Sequence, residues 1–214
     1  AAWMIGLAAL FDFMDGMAAR LLDARSVIGN LLDSLADLVS FGVAPGMILY
    51  KLLEHPSGMQ AWKVYDYHLL AFIALLVPAF SALRLAIFSA DDRQKEQFLG
   101  LPTPANALFF ASFPLILAQF PEGSAVNGLI GNFYFLLPVI LISCFLMVSS
   151  LPLFSLKFKR FSWQGNECRY IFLALSAVLL VFLKYLAIPA IIILYLLISM
   201  ILLPRGACSV NKQR

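Results

Sequence analysis

Residues 170–203, YIFLALSAVLLVFLKYLAIPAIIILYLLISMILL, form an apolar run of 34 residues broken by a single charge, Lys184. A helix crosses the hydrocarbon core of a bilayer in roughly 20 residues, so this run is too long for one span. Lys184 with Tyr185, followed by Pro189, marks a turn. The pattern therefore predicts two helices, at about 170–184 and 187–203. Two spans here rather than one set the parity of the whole chain, and with it which loops share a side.

The rest of the sequence has the same character. Of 214 residues, 62% are hydrophobic and only 13% charged, and the mean hydropathy is +0.90. A water-soluble core of this length could not hide so much apolar surface, and disorder, collagen and a disulfide scaffold are excluded by the same composition. Five further apolar runs, at about 1–22, 30–53, 67–89, 103–120 and 132–154, bring the total to seven. The expected architecture is an all-α, polytopic transmembrane bundle over residues 1–204, with a short tail at 205–214. Its opening, AAWMIGLAAL, has neither an initiator Met nor a basic leader. One further helix is expected ahead of Ala1.

With seven spans, alternate loops fall on opposite sides and the basic residues sort accordingly. One side receives 11 of them: Arg20, Arg25, Arg93, Lys95, Lys157, Lys159, Arg160, Arg169, Arg205, Lys212 and Arg214. The other receives Lys51, Lys63 and Lys184, and Arg84 lies within a span. The positive-inside rule puts the richer side in the cytoplasm. A net charge of +3 gives no reason to expect nucleic acid as a partner. Cys144, Cys168 and Cys208 have no paired spacing and read as free thiols.

Against this background four aspartates stand out. Asp12 and Asp15 are three apart in the first span, and Asp33 and Asp37 four apart in the second, so each pair shares a helix face. A carboxylate at the centre of a membrane helix costs roughly 2.5–3.5 kcal/mol. All four lie in the cytoplasmic halves of adjacent antiparallel helices and can converge on one site, where they repel unless a cation neutralises them. Oxygen-only ligands without His or Cys suit Mg²⁺ or Mn²⁺, and four carboxylates suffice for two ions. Gly16 and Ala19 follow Asp12 at i+4 and i+7, and Gly29 precedes Asp33 by one turn. Close helix packing would account for them, as would room for a flat group against the backbone. Arg20 and Ser26 add donors suited to phosphate oxygens.

The string Asp12-Phe-Met-Asp15-Gly16-Met-Ala-Ala19-Arg20, eight residues, Gly29, three residues, Asp33, three residues, Asp37 resembles the CDP-alcohol phosphotransferase motif at every fixed position. The resemblance implies an enzyme that displaces CMP from a CDP-linked lipid with an alcohol. It also implies two metal ions on the four aspartates, Asp37 as the general base, and a homodimer in a bacterial or archaeal-type cell membrane. Around Gly16, Ala19, Arg20, Ser26 and Gly29 it implies the CDP-diacylglycerol site.

Asp33-Ser-Leu-Ala-Asp37-Leu-Val-Ser40-Phe41-Gly42-Val-Ala-Pro45 looks like the serine-using branch of that family, with Leu38 where other branches place Lys or Arg. The segments Ala82–Ala86 and Gly100–Ala105 resemble later parts of the same branch. L-serine is then the implied acceptor, with glycerol 3-phosphate or inositol as alternatives, and a cation or proton transporter as the reading from a different class. Arg84 lies at the depth of the aspartates and reads as a ligand for substrate phosphate or the serine carboxylate. Lys157, in a looser match at 149–157, is carried with it. Lys157, with Lys159 and Arg160, also reads as a topology determinant and a contact to anionic membrane lipids. His55 and His68 fall near the opposite face.

Overall fold

The computed structural model describes residues 1–22, 26–54, 70–90, 98–153 and 167–202. It is helical nearly throughout. The first span is α1, Ala2–Leu21. The second is one continuous helix made of α2 (Val27–Asp37), a π-helical segment (Leu38–Val43) and α3 (Ala44–Glu54). The third enters through a 3₁₀ turn, Phe72–Leu75, into α4 (Leu76–Ala90). Then follow α5 (Thr103–Gln119), a short α6 (Ala125–Ile130), α7 (Phe133–Val148), α8 (Glu167–Leu183) and α9 (Ala187–Leu202). Two-residue strands, β1 (Phe98–Leu99) and β2 (Pro152–Leu153), pair antiparallel, with Phe98 opposite Leu153 and Leu99 opposite Pro152.

Among the described residues apolar helices stand at each of the seven expected places, four helical stretches being long and apolar enough to cross a membrane and the others shorter, and the chain is an integral membrane protein. Their surface is what lipid requires: large apolar side chains such as Trp3, Phe13, Phe145 and Phe182 point outward. Two boundaries moved. The second span begins at Val27 rather than near residue 30, because Ser26 caps it. The fifth stops at Val148 rather than running to Phe154: Ser149 is extended, Leu151 precedes a proline, and the chain turns to form β2.

The long C-terminal run is a hairpin. Phe172 of α8 and Tyr195 of α9 stack with ring centroids 5.8 Å apart, whereas in one straight helix 23 residues would separate them by about 35 Å. The reversal is made at Lys184, whose φ of 52° is left-handed, followed by a 3₁₀ turn through Leu186. Pro189 then sits in the first turn of α9, where its missing N–H leaves no helical bond unmade.

Contacts at the two ends of the bundle agree with seven alternating spans. At one end the ring of Trp3, which opens α1, meets that of Tyr185 in the hairpin turn, with centroids 6.1 Å apart. The Tyr185 N–H donates to Oε1 of Gln119, the last residue of α5, at 3.3 Å. At the other end the close of α4, the start of α5 and the close of α7 are joined by Arg84 and by β1–β2.

The π segment follows from Pro45. Proline cannot donate its backbone N–H and its ring crowds the carbonyl four residues back. Widening the preceding turn relieves the clash, and the Ala44 N–H bonds Val39 O, five residues back. The same stretch crosses α4 closely. A Cβ added at Gly42 would stand 3.0 Å from Ser81 Cβ and 3.4 Å from Pro78 Cα, and one at Gly46 would stand 2.9 Å from Pro78 Cδ. The Gly42-x-x-x-Gly46 spacing is thus a helix-crossing device. Behind it lies the core, where Leu49, Leu53, Val77, Phe110, Leu136 and Ile140 are fully buried.

Candidate active site

The bundle is open where α1 ends and α2 begins. Over this stretch α1 and α2 leave the large apolar side chains of Phe13, Met14, Met17, Leu31, Leu32 and Leu35 exposed. Into the same region the helical spacing projects the four aspartates. Carboxylate oxygens of Asp12, Asp15 and Asp33 lie within 4.8 Å of one another. Asp37, half-buried, brings its carboxyl group within hydrogen-bonding reach of that of Asp12. Two carboxyl groups so placed repel when both are ionised, and are held together only by a proton or a cation between them. An all-oxygen, anionic donor set from two helices fits a hard divalent ion. Asp37 is the last residue of α2 before the π segment, so the α4 and α5 helices that pack on that segment also govern where Asp37 stands.

The small residues divide into two kinds. Gly29 is required by local structure. Ser26 Oγ accepts the Gly29 N–H at 3.0 Å as the N-cap of α2, and a Cβ on Gly29 would come within 2.9 Å of that oxygen. The Ser26 hydroxyl keeps its own proton free to donate. Gly16 is different, because a Cβ there would meet nothing within 4 Å among the described residues. Packing within the described part of this chain does not demand it. Ala19, one turn nearer the loop, is half-buried. Arg20 lies on α1, and its side chain is outside the described set, as are Asp23 and the whole of Lys157, His55 and His68.

Arg84 occupies a place the sequence did not foretell. Its side chain is buried, and Nη1 donates to two main-chain carbonyls, Leu99 O at 2.8 Å and Met147 O at 3.0 Å. The partners expected from the sequence were a substrate phosphate or carboxylate; in the structure Nη1 is spent on the protein's own backbone, and Nε and Nη2 are the donors left for such a ligand. Two further groups escaped the sequence. Ser81 Oγ and Asn106 Nδ2 both approach Met147 Sδ, at 3.8 and 3.4 Å, tying α4 and α5 to α7. The other is the Gly42/Gly46 crossing, whose four-residue spacing was legible in principle.

The chain is 34% identical over 202 residues to a protein of Mycobacterium tuberculosis, covering 90% of this chain and 65% of that one. It is 33% identical over 147 residues to one from Helicobacter pylori, covering 67% and 58%. A protein of Methanocaldococcus jannaschii is 34% identical over 128 residues, covering 60% and 57%. All three are named CDP-diacylglycerol–serine O-phosphatidyltransferase, and this chain spans 65% or less of the length of each. The sequence profile of CDP-alcohol phosphatidyltransferases matches residues 1–156, a stretch that holds all four aspartates, the Ser26 cap and Arg84. The chain belongs to the CDP-alcohol phosphatidyltransferase family.

Proposed function

We propose that this chain transfers a phosphatidyl group from CDP-diacylglycerol to the hydroxyl of L-serine, giving phosphatidylserine and CMP. The observation that carries the reading is the convergence of Asp12, Asp15, Asp33 and Asp37 from two membrane helices at an end of the bundle open to lipid. The names of the relatives support serine as the acceptor. The basic loops support a site facing the cytoplasm of a bacterial or archaeal-type cell. A homodimer is the assembly that the family resemblance implies.

In this proposal the acyl chains of the donor stay in the bilayer beside the exposed apolar side chains of α1 and α2. The cytidine lies over Gly16 and Ala19, where the missing side chain of Gly16 leaves space among the described residues. Arg20, the Ser26 hydroxyl and the Gly29 end of α2 face the diphosphate, and Lys157 is assigned to the same phosphate or to the serine carboxylate. Two divalent ions, Mg²⁺ or Mn²⁺, held by the four aspartates would supply charge neutralisation at the diphosphate. Asp37 accepts the proton of the serine hydroxyl, whose oxygen forms the new P–O bond at the lipid-side phosphorus as the bond to CMP breaks. Positioning and charge neutralisation supply most of the acceleration, with proton transfer a smaller contribution.

Release of CMP tests the reading. The chain in membranes is given CDP-diacylglycerol, Mg²⁺ or Mn²⁺, and L-serine, glycerol 3-phosphate or inositol in turn. CMP formation that requires L-serine and a divalent ion is the expected result. Release with a different alcohol would move the acceptor, and none with any alcohol would overturn the proposal.

A further inference from the structure

The C-terminal end of α7 is closed by groups from elsewhere in the chain. Its last carbonyls carry the negative end of the helix dipole and have no partners within the helix. Leu146 O accepts the Leu101 N–H at 3.0 Å and Met147 O accepts Arg84 Nη1, while the Gly100 N–H bonds Leu151 O just beyond, at 2.9 Å. Gly100 has a φ of 70°, and a Cβ there would stand 2.6 Å from Ser149 O, 2.8 Å from Met147 O and 3.0 Å from Leu146 O. No residue with a side chain fits so close to three carbonyls.

This clasp connects to the acids through one helix. Ser81, one turn before Arg84 on α4, is the residue that meets Gly42 of the π segment, and its hydroxyl approaches Met147 Sδ. The π segment begins directly after Asp37. A shift of α4 along α7 therefore moves the surface against which the Asp37 helix rests.

We propose that Arg84 is a positioning residue. It clamps α4 and the 98–101 segment to the end of α7, and through the α4 crossing it holds the Asp37 helix in place; it does not bind substrate. The inference rests on the phosphatidyl-transfer reading for its kinetic readout. Both N–H groups of Nη1 are committed to main-chain carbonyls and the side chain is buried, and a displacement of about 1 Å at a reacting group costs on the order of 10²-fold in rate.

The test uses Arg84→Ala, Arg84→Lys, Gly100→Ala and the Arg84→Ala/Gly100→Ala pair in the full chain, with CMP release and thermal melting in detergent. Arg84→Ala is expected to lower kcat by about 10²-fold with KM for both substrates within about threefold of wild type. Arg84→Lys restores the charge but not the planar fork and should recover part of kcat. Gly100→Ala leaves the guanidinium intact and should reproduce the kcat loss. A KM for serine or CDP-diacylglycerol that rises about tenfold or more in Arg84→Lys, with kcat recovered at saturation, would make Arg84 a substrate ligand and overturn the proposal; so would wild-type kcat in Gly100→Ala. If the wild-type chain releases no CMP with any alcohol, it is the function that fails, and the clasp is then read from melting alone. Losses in the paired variant no larger than in either single one support a shared clasp, and additive losses overturn it.

Discussion

Gly16 separates the structural and functional accounts of the site more cleanly than any acid, because packing among the described residues makes no use of its missing side chain. Among the described residues a Cβ at Gly16 meets nothing within 4 Å, and the same holds for Gly6, ten residues earlier on α1. For the protein alone both Gly→Ala changes are favourable. Alanine in a helix interior is better than glycine by about 0.5–1 kcal/mol, and for a chain of this size about 1 kcal/mol moves Tm by about 2–4 °C. Both variants should therefore melt about 1–4 °C higher than wild type. They part company when the donor binds. If the cytidine lies against the backbone of Gly16, an added methyl is an overpacking substitution costing about 1–3 kcal/mol. At a factor of ten per 1.4 kcal/mol, binding weakens by about 5- to 150-fold. Titration of CDP-diacylglycerol into detergent-solubilised protein, followed by the ligand-induced rise in Tm and by KM in the CMP-release assay, reads this directly. Gly16→Ala should lose affinity and Gly6→Ala should not. Equal donor affinity in the two variants would refute the placement of the nucleotide, and a lower Tm for Gly16→Ala would refute the claim that the position is free of packing.

Three other outcomes follow from the same geometry. Asp37→Asn keeps the size of the side chain and removes its ability to take a proton or hold a full charge, so turnover should be lost while CDP-diacylglycerol still raises Tm; retained turnover would remove Asp37 as the base. Chelation with EDTA should abolish CMP release and excess Mg²⁺ or Mn²⁺ restore it, and Asp15→Asn, which removes one of the three clustered carboxylates, should raise the metal concentration needed for half-maximal rate. Gly46→Ala would drive a Cβ to 2.9 Å from Pro78 Cδ and should destabilise by about 1–3 kcal/mol, lowering Tm by about 2–12 °C, whereas an unchanged melt would mean that the α3–α4 crossing relaxes freely.

Sequence alone determined the class of protein, the places of its apolar helices and the spacing of the acids. Each rests on a property that is local along the chain: an apolar run must lie in lipid, 34 such residues must fold back, and spacings of three and four must share a helix face. Even the hairpin at Lys184 was legible, because a charge and a proline interrupt the run within six residues. Ser26 and Gly29 were visible as residues, but their mutual role as cap and clearance depends on the distance between one hydroxyl and one backbone N–H. Arg84 was legible only as an anomaly. A charge inside a membrane span must find partners, and the sequence offers substrate as readily as backbone. The tertiary structure supplies two backbone partners for Nη1, the carbonyls of Leu99 and Met147, which lie 15 and 63 residues away along the chain. Main-chain carbonyls leave no mark in a sequence, because every residue carries one, and only the packing of α4 against α7 shows which of them are left without a partner and within reach of a guanidinium.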